Sequence, residues 1–135
     1  MGGDGIFDPA YIELAGKTSN GDLATTVGAP TESLDTAKQF VSDYQAAGYK
    51  EPYAAYGAYS YDAANAIINA LKTSLASASD AKSARQATID AMGKVSFDGS
   101  TGKVAFDQYG DSTNKVLTVY KVDGGKWVAE KTGTG

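Results

Sequence analysis

The feature that most constrains the fold is a change of hydrophobic period near residue 94. Before that point, apolar residues recur every three or four positions, which is typical of amphipathic helices. After it, they fall in short stretches separated by Asp-Gly and Gly-Gly turns, which is typical of hairpins. Only Leu23–Val27 among the earlier segments has the composition of a strand. The pattern therefore predicts an α/β fold with helices first and antiparallel hairpins last.

Four segments have the helical period, at residues 8–16, 34–47, 52–75 and 80–92. The third is the strongest, and its apolar stripe is expected to face the core. The stripe comprises Tyr53, Tyr56, Ser60, Ala64, Ile67, Leu71 and Leu75, widened by Ile68. Asp62, Asn65, Asn69 and Lys72 fall largely on the other side.

Two hairpins are predicted after the helices. In the first, a strand at 95–97 and one at 103–107 flank a turn at 98–102, which is far more typical of a hairpin than of a calcium loop. In the second, the arm 115–122 carries apolar residues on both faces and is predicted to be a covered strand. Leu23–Val27 resembles a parallel inner strand whose neighbours are missing, which predicts a fragment of a longer chain.

Composition excludes several functions. The chain has 135 residues and a net charge of −4, from 12 basic and 16 acidic side chains without a basic cluster. Nucleic acid and anionic membranes are therefore disfavoured as partners. Cysteine and histidine are both absent, which removes disulfides, the usual zinc ligands and imidazole catalysis. We expect no cofactor and no metal, and the composition argues against an enzyme.

The first residues set a single acid among glycines, Gly2-Gly3-Asp4-Gly5. Glycines let the backbone adopt left-handed turns and approach another group closely. A short helix follows, with Asp8 as its N-cap and Pro9 at its first position. Asp4 is therefore a candidate for meeting a cationic group, and the alternative is a solvated loop residue. No strand signal precedes the turn, which again favours a chain cut from a longer one.

Tyrosines are concentrated where the third helix is predicted to start, at positions 53, 56, 59 and 61. Core packing is one interpretation. The other is that the rings enclose a small ligand, because tyrosine offers a flat apolar wall with a polar tip. Gly57 lies among them and would allow a backbone or a ligand to approach closely.

Four stretches, in this order, resemble the C-terminal part of the leucine/isoleucine/valine-binding family, the solute-binding proteins of ABC transporters for branched-chain amino acids. They are Gly2-Gly3-Asp4-Gly5 leading to Asp8-Pro9 and Leu14-Ala15-Gly16; Pro52 to Tyr61-Asp62-Ala63; Phe97-Asp98-Gly99 with Thr101-Gly102 and Phe106-Asp107; and Gly110-Asp111 with Asp123-Gly124-Gly125-Lys126. The match covers nearly the whole chain but only about the last third of a family member.

The resemblance implies part of a two-lobed type I periplasmic-binding-protein fold, with helices on a mainly parallel sheet, that is incomplete as an isolated chain. The lobes of that fold are joined by three crossing segments and close on a ligand by hinge motion. By the resemblance, residues 1–28 belong to the second lobe and carry the ligand-binding turn. Residues 29–110 belong to the first lobe, and residues 111–135 form a hinge return and a second-lobe hairpin.

The resemblance also implies which residues bind the ligand. In the family, the acid of the glycine-rich turn holds the α-ammonium group, and Asp4 matches that position. An aromatic residue at the start of the Pro52 helix encloses the ligand side chain; Tyr56 is the better match and Tyr53 the runner-up. The groups that bind the ligand carboxylate lie upstream in the family.

The implied function is capture of an amino acid, expected to be aliphatic, and delivery to an ABC permease in the membrane, without catalysis. The protein would work outside the cytoplasm, with its export signal upstream of residue 1. Further expected partners are the missing N-terminal part or a second copy. Three alternatives stay open: a relative that binds an amide, urea or an aromatic acid, a receptor ectodomain, and an engineered split or oligomerising fragment.

Overall fold

The structure is a computed structural model that describes residues 1–76 and 78–134. Its described residues form four α-helices and five β-strands: α1 (Pro9–Ala15), β1 (Leu23–Val27), α2 (Lys38–Ala47), α3 (Gly57–Ser74), α4 (Ala81–Met92), β2 (Ser96–Gly99), β3 (Gly102–Ala105), β4 (Val116–Asp123) and β5 (Lys126–Thr134). The predicted α/β class is confirmed. The chain divides into two compact units. Unit 1 comprises Met1–Ser33 with the residues from Lys115 onward, and unit 2 comprises Leu34–Asn114.

Unit 1 contains a three-stranded sheet in the order β1-β4-β5, so the arm predicted to be covered is its central strand. Both neighbours of β4 run antiparallel to it. Thr118, Tyr120 and Val122 alternate along one face of β4, and all three are buried. The β4–β5 turn places Gly124 and Gly125 at φ values of 56° and 77°, a left-handed conformation that glycine adopts without strain.

β1 has a neighbour on each side, but only one of them is parallel. It pairs antiparallel with β4, whereas the sequence pattern suggested a parallel inner strand. Its other edge is contacted by Gly2, which forms a parallel bridge to Ala24. The Gly2 amide donates to the Leu23 carbonyl at 2.8 Å, and the Thr25 amide donates to the Gly2 carbonyl at 3.0 Å. The N-terminal residues are therefore held against the sheet although they carry no strand signal.

Unit 2 packs α3 against α4 and against the hairpin formed by β2 and β3. This hairpin and the α4 segment confirm the sequence predictions. The buried centre consists of Ala66, Ala70 and Val95, with Ala91, Met92, Phe97, Val104 and Phe106 packed around it. Helix α4 begins with a capping box: the Ser83 amide donates to Asp80 Oδ1 at 2.7 Å, and the Asp80 amide donates to Ser83 Oγ at 3.2 Å.

Two predicted helix starts were wrong by about one turn. Helix α3 begins at Gly57 and not at Pro52, because residues 52–56 form a loop in which Ala54 has a φ of 51°. Helix α2 begins at Lys38 and not at Leu34, after a short 3-10 turn. Among the helices of the described residues, none combines the length and the apolar character that crossing a bilayer requires.

The predicted buried stripe of α3 was also wrong. The buried positions recur every fourth residue and carry small side chains or a carboxylate: Ala58, Asp62, Ala66, Ala70 and Ser74. Small side chains let α4 and the hairpin approach the α3 backbone closely. The bulkier Ile67, Ile68 and Leu75, which the stripe placed in the core, are about half exposed.

Candidate functional site

Asp4 lies at the carboxyl end of the extended segment that pairs with β1. After Gly3, a 3-10 turn runs from Asp4 to Ile6, and the Phe7 amide donates to the Asp4 carbonyl at 2.9 Å. Asp4 is exposed. Gly2 forms an isolated parallel bridge to Ala24 of β1, and Asp4 follows this bridge on its carboxyl side.

The backbone conformation of the glycines around Asp4 differs from the predicted one. None of Gly2, Gly3 and Gly5 has a positive φ, so the expected left-handed turns do not occur. Close approach does occur at Gly2, where a Cβ would lie 2.6 Å from Ile6 Cδ1. At Gly3 and Gly5, a Cβ would meet no described atom within 4 Å. The backbone on both sides of Asp4 therefore borders open space.

An aromatic cluster in unit 1 fixes the segment that follows Asp4. The Phe7 ring lies 4.1 Å from the Tyr120 ring and 5.7 Å from the Trp127 ring, measured between centroids. The Trp127 indole Nε1 donates to the Asp8 carbonyl at 3.1 Å. Tertiary aromatic contacts of this kind stiffen a short turn that has few backbone hydrogen bonds of its own.

A second contact joins α1 to the turn before β1. The Tyr11 hydroxyl donates to Asp22 Oδ2 at 2.6 Å. This hydrogen bond, with smaller contributions from burial and from the negative charge of Asp22, raises the pKa of Tyr11 above its ordinary value. The contact therefore keeps the phenol neutral and holds α1 in place.

In unit 2, Tyr53 belongs to an aromatic cluster and not to a helix. Its ring lies edge-on to Phe40 at 5.4 Å and to Tyr44 at 5.5 Å between centroids. Phe40 is buried, and the Tyr44 hydroxyl donates to the Glu51 carbonyl at 3.0 Å. Core packing is thus the role that these contacts support for Tyr53.

Tyr56 precedes α3 directly and keeps 47% of its surface exposed. Gly57 follows it, and a Cβ at Gly57 would lie 2.5 Å from Tyr53 Cβ, so the close approach expected there is made by a side chain of this chain. Tyr59 is more enclosed: burial, followed by the negative charge of Asp62, raises the pKa of its hydroxyl. Tyr56 therefore offers a more accessible ring than Tyr59.

Asp62 lies on the buried side of α3, whereas the sequence pattern placed it on the polar side of that helix. Its carboxylate is buried and accepts hydrogen bonds from the Ser100 amide, the Thr101 amide and the Thr101 hydroxyl at 2.7–2.8 Å. A Cβ at Gly99 would lie 2.6 Å from Asp62 Oδ2, so glycine is needed there. Asp62 therefore fastens the β2–β3 turn to α3. Ala58 and Ala66, the small residues four positions to either side of Asp62, were the feature of the sequence that could have indicated its burial.

A groove of about 400 Å³ lies beside this anchor in unit 2. Its walls include the polar side chains of Gln39, Asn65, Asn69 and Asp98. The described residues that line it do not include Tyr53 or Tyr56. The groove is therefore separate from the predicted ligand-binding tyrosines, and its lining mixes amide, hydroxyl and carboxylate side chains with the rings of Tyr61 and Phe97.

The family of the chain is established by comparison. The model described as receptor family ligand binding region matches residues 14–125, and the chain belongs to this family. Curated proteins give no significant match.

Solved structures show the same fold. The leucine-binding protein LivK from Thermotoga maritima is 28% identical, with a TM-score of 0.76 over 96% of this chain and 35% of its own. The branched-chain amino acid transporter substrate-binding protein LivJ from Streptococcus pneumoniae, in complex with isoleucine, is 23% identical, with a TM-score of 0.72 over 98% of this chain and 36% of its own. A solute-binding protein of an ABC transporter from R. palustris, in complex with benzoate, is 19% identical, with a TM-score of 0.66 over 90% of this chain and 32% of its own.

These comparisons confirm the predicted type I periplasmic-binding-protein fold, present in part. The chain spans about a third of the length of each of these solved chains. All three are described as binding proteins. Asp4 belongs to unit 1 and both tyrosines to unit 2, so the predicted roles of Asp4, Tyr56 and Tyr53 stay predictions.

Proposed function

We propose that this chain is part of an extracytoplasmic solute-binding protein that captures an amino acid and delivers it to an ABC permease, without catalysis. Membership of a ligand-binding receptor family supports the binding role. The likeness to a leucine-binding protein, over 96% of this chain, supports an aliphatic amino acid as ligand. The division of residues 1–28, 29–110 and 111–135 between two lobes is part of this proposal.

The observation that carries the proposal is the position of Asp4. An exposed carboxylate stands at the carboxyl end of a parallel-paired segment, between glycines whose backbone borders open space. A carboxylate placed in this way can form a short, charge-assisted hydrogen bond to a ligand ammonium group. We assign the ammonium group of the amino acid to Asp4.

The aromatic contribution is proposed for Tyr56, whose ring keeps about half of its surface exposed. Tyr53 is the runner-up because its ring already packs against Phe40 and Tyr44. An apolar ligand side chain would be enclosed by such a ring through burial of apolar area, which gives little directional preference.

A second candidate ligand class lacks the ammonium group. The structure from R. palustris with benzoate has the same fold, which makes an aromatic acid, an amide or urea a specific alternative. Such ligands would not need Asp4. Use of the fold as a receptor ectodomain, or as a split or oligomerising fragment, is a further alternative.

The test compares leucine with 4-methylpentanoate, the same molecule without its ammonium group, by NMR of the Gly2, Gly3 and Gly5 amides. We expect leucine to shift these amides with an affinity weaker than micromolar, because this chain spans about a third of a solved family member. Asp4→Asn should abolish the shifts, and 4-methylpentanoate should cause none. Glu13→Gln, which removes an exposed carboxylate from α1 in the same unit, is the matched control.

Equal shifts from both ligands, or leucine shifts that survive Asp4→Asn, would contradict the assignment of Asp4. Micromolar leucine binding by this chain would contradict the expectation that most ligand contacts lie outside it.

A further inference from the structure

The groove of about 400 Å³ in unit 2 is lined by none of the residues proposed to bind the amino acid. Its walls come from α3, from the β2–β3 hairpin and from residues at the start of α2. The described residues that line it lie between Thr36 and Ser100, within unit 2. Small-molecule sites usually have volumes of about 300–1,000 Å³. The size of the groove therefore suits a small molecule, and the chemistry of its lining selects the class.

Helix α3 supplies a row of three lining side chains, Tyr61, Asn65 and Asn69. They recur every fourth residue, so they lie one above the other on one face of the helix. Asn65 is partly buried and Asn69 is exposed. Each side-chain amide offers two N–H donors and one carbonyl acceptor. The row therefore presents hydrogen-bond donors and acceptors beside a flat ring.

Two carboxylates add further acceptors. Asp98 of β2 is exposed and forms an ion pair with Lys103 at 3.4 Å. The buried Asp62 also lines the groove, and its Oδ1 accepts one described hydrogen bond, from the Ser100 amide at 2.8 Å. A carboxylate oxygen has about two acceptor sites, so Oδ1 can accept one more bond. The described lining contains no lysine or arginine, which disfavours an anionic ligand.

Two aromatic rings complete the lining. The Tyr61 ring lies 5.4 Å from the buried Phe40 ring between centroids, yet Tyr61 keeps 49% of its surface exposed. Phe97 packs against the buried centre of unit 2. A ring that is fixed on one side and open on the other gives a ligand a flat apolar surface at little cost in side-chain freedom.

We propose that this groove binds a neutral sugar ring, as a second ligand class beside the amino acid and independently of the proposed function. The hydroxyl groups at the rim of a sugar both donate and accept hydrogen bonds, which the amides and carboxylates of the groove match. The C–H groups on the face of a pyranose are apolar and match the Tyr61 ring. A fully apolar ligand would leave the amides without water or partner, which is unfavourable.

The test titrates the 135-residue chain with D-glucose, D-galactose and D-mannose in turn, followed by NMR of the Gly99 and Ser100 amides. At least one sugar should shift these amides saturably. The double variant Asn65→Ala/Asn69→Ala should weaken this binding by at least about tenfold, because it removes two hydrogen-bonding side chains. Gln45→Ala removes an exposed amide of α2 that does not line the groove and is the matched control.

The aromatic contribution has its own pair of variants. Tyr61→Phe keeps the ring and should change the affinity for the sugar by less than about twofold, whereas Tyr61→Leu should weaken it by at least about fivefold. Circular dichroism of all variants should match that of the parent chain. The asparagine double variant should leave any leucine shifts of Gly2, Gly3 and Gly5 unchanged, so the two ligand proposals can fail separately.

Three outcomes would overturn the proposal. The first is the absence of saturable shifts with all three sugars at concentrations in the tens of millimolar. The second is equal weakening by the asparagine double variant and by Gln45→Ala. The third is a preference for another class of ligand: tighter binding of glucose 6-phosphate than of glucose would indicate an anion site, and shifts from triglycine alone would indicate a peptide site.

Discussion

At the scale of single residues, a buried carboxylate is tolerated only where hydrogen-bond donors replace the water that it loses. Asp62 has three such donors, all within one turn of the β2–β3 hairpin. Two of them are backbone amides of the turn, which need an acceptor when they are removed from water. Asp62 therefore links a helix to a hairpin through three hydrogen bonds and not through its bulk.

Replacing Asp62 tests this link. Asp62→Ala should lower the free energy of unfolding by about 3 kcal/mol, because it leaves three donors without their acceptor. Asp62→Asn should lower it by about 2 kcal/mol, because the amide keeps one acceptor oxygen. Urea denaturation measures both.

Asp98→Asn is the control for Asp62, since the Asp98 side chain is 86% exposed and its ion pair with Lys103 spans 3.4 Å. Its effect should stay within about 0.5 kcal/mol. A similar loss in Asp98→Asn and Asp62→Asn would mean that Asp62 is not an anchor.

Ala54 is the non-glycine residue with a positive φ among those described, at 51°. This conformation costs an L-residue roughly 1–2 kcal/mol, whereas glycine adopts it freely but loses more entropy on folding. Ala54→Gly should therefore raise the free energy of unfolding by about 0.5 kcal/mol. Ala55→Gly, at a neighbouring alanine without a positive φ, should lower it. Destabilisation by both substitutions would show that the left-handed conformation is not strained.

At the scale of elements, α4 shows how a local signal fixes a boundary. Asp80 is the N-cap of this helix and forms reciprocal hydrogen bonds with Ser83. The hydrogen bonds that Asp80 accepts, chiefly from the Ser83 amide, lower the pKa of its carboxyl group below the ordinary value. A lowered pKa in the folded state means that the charged form stabilises the fold.

The lowered pKa of Asp80 predicts how its contribution to stability changes with pH. Stabilisation by Asp80 is fully present above the pKa of the unfolded chain, about 4, and is lost as the pH falls through the lower pKa of the folded chain. Asp80→Ala should therefore be less stable than the parent at pH 7 and equally stable near pH 2, by urea unfolding followed by circular dichroism.

Asp90→Ala is the control on the same helix, because Asp90 lies near the end of α4 and accepts a hydrogen bond from the Gln86 side chain, not from a backbone amide at the start of the helix. A difference between parent and Asp80→Ala that is constant from pH 7 to pH 2 would show that the carboxylate charge is not involved.

Helix α3 shows the limit of periodicity at the same scale. Its existence was predictable, because eighteen residues carry a sustained three-to-four spacing. The face that it buries was not, since a hydrophobic stripe ranks Ile67 above Ala66 although Ala66 allows the closer contact. The pairing of Asp62 with Ser100 joins positions 38 apart in the chain, which no local pattern encodes.

At the scale of the whole molecule, the order of the motifs was more informative than any single motif. The helices and hairpins were predictable from periodicity. The resemblance to solute-binding proteins came from four short stretches in order, and the comparisons support it at the level of the receptor family ligand binding region. The parallel bridge of Gly2 to Ala24 could not be predicted from the sequence, because Met1–Gly3 contains no β-branched or aromatic residue. That bridge places Asp4, so the position of the candidate ligand-binding acid depends on a tertiary contact.

The same bridge has a consequence for handling the protein. Gly2 forms hydrogen bonds with the Leu23 carbonyl and the Thr25 amide on the outer edge of β1, whereas β5 lies at the opposite edge of the sheet. Within this sheet, stacking of further strands in concentrated samples would therefore favour the edge at β5. A register shift beside β5 and the charges of Lys126, Glu130 and Lys131 oppose such growth. The rate of aggregation on storage should therefore change with substitutions along β5 and change little with substitutions in β1.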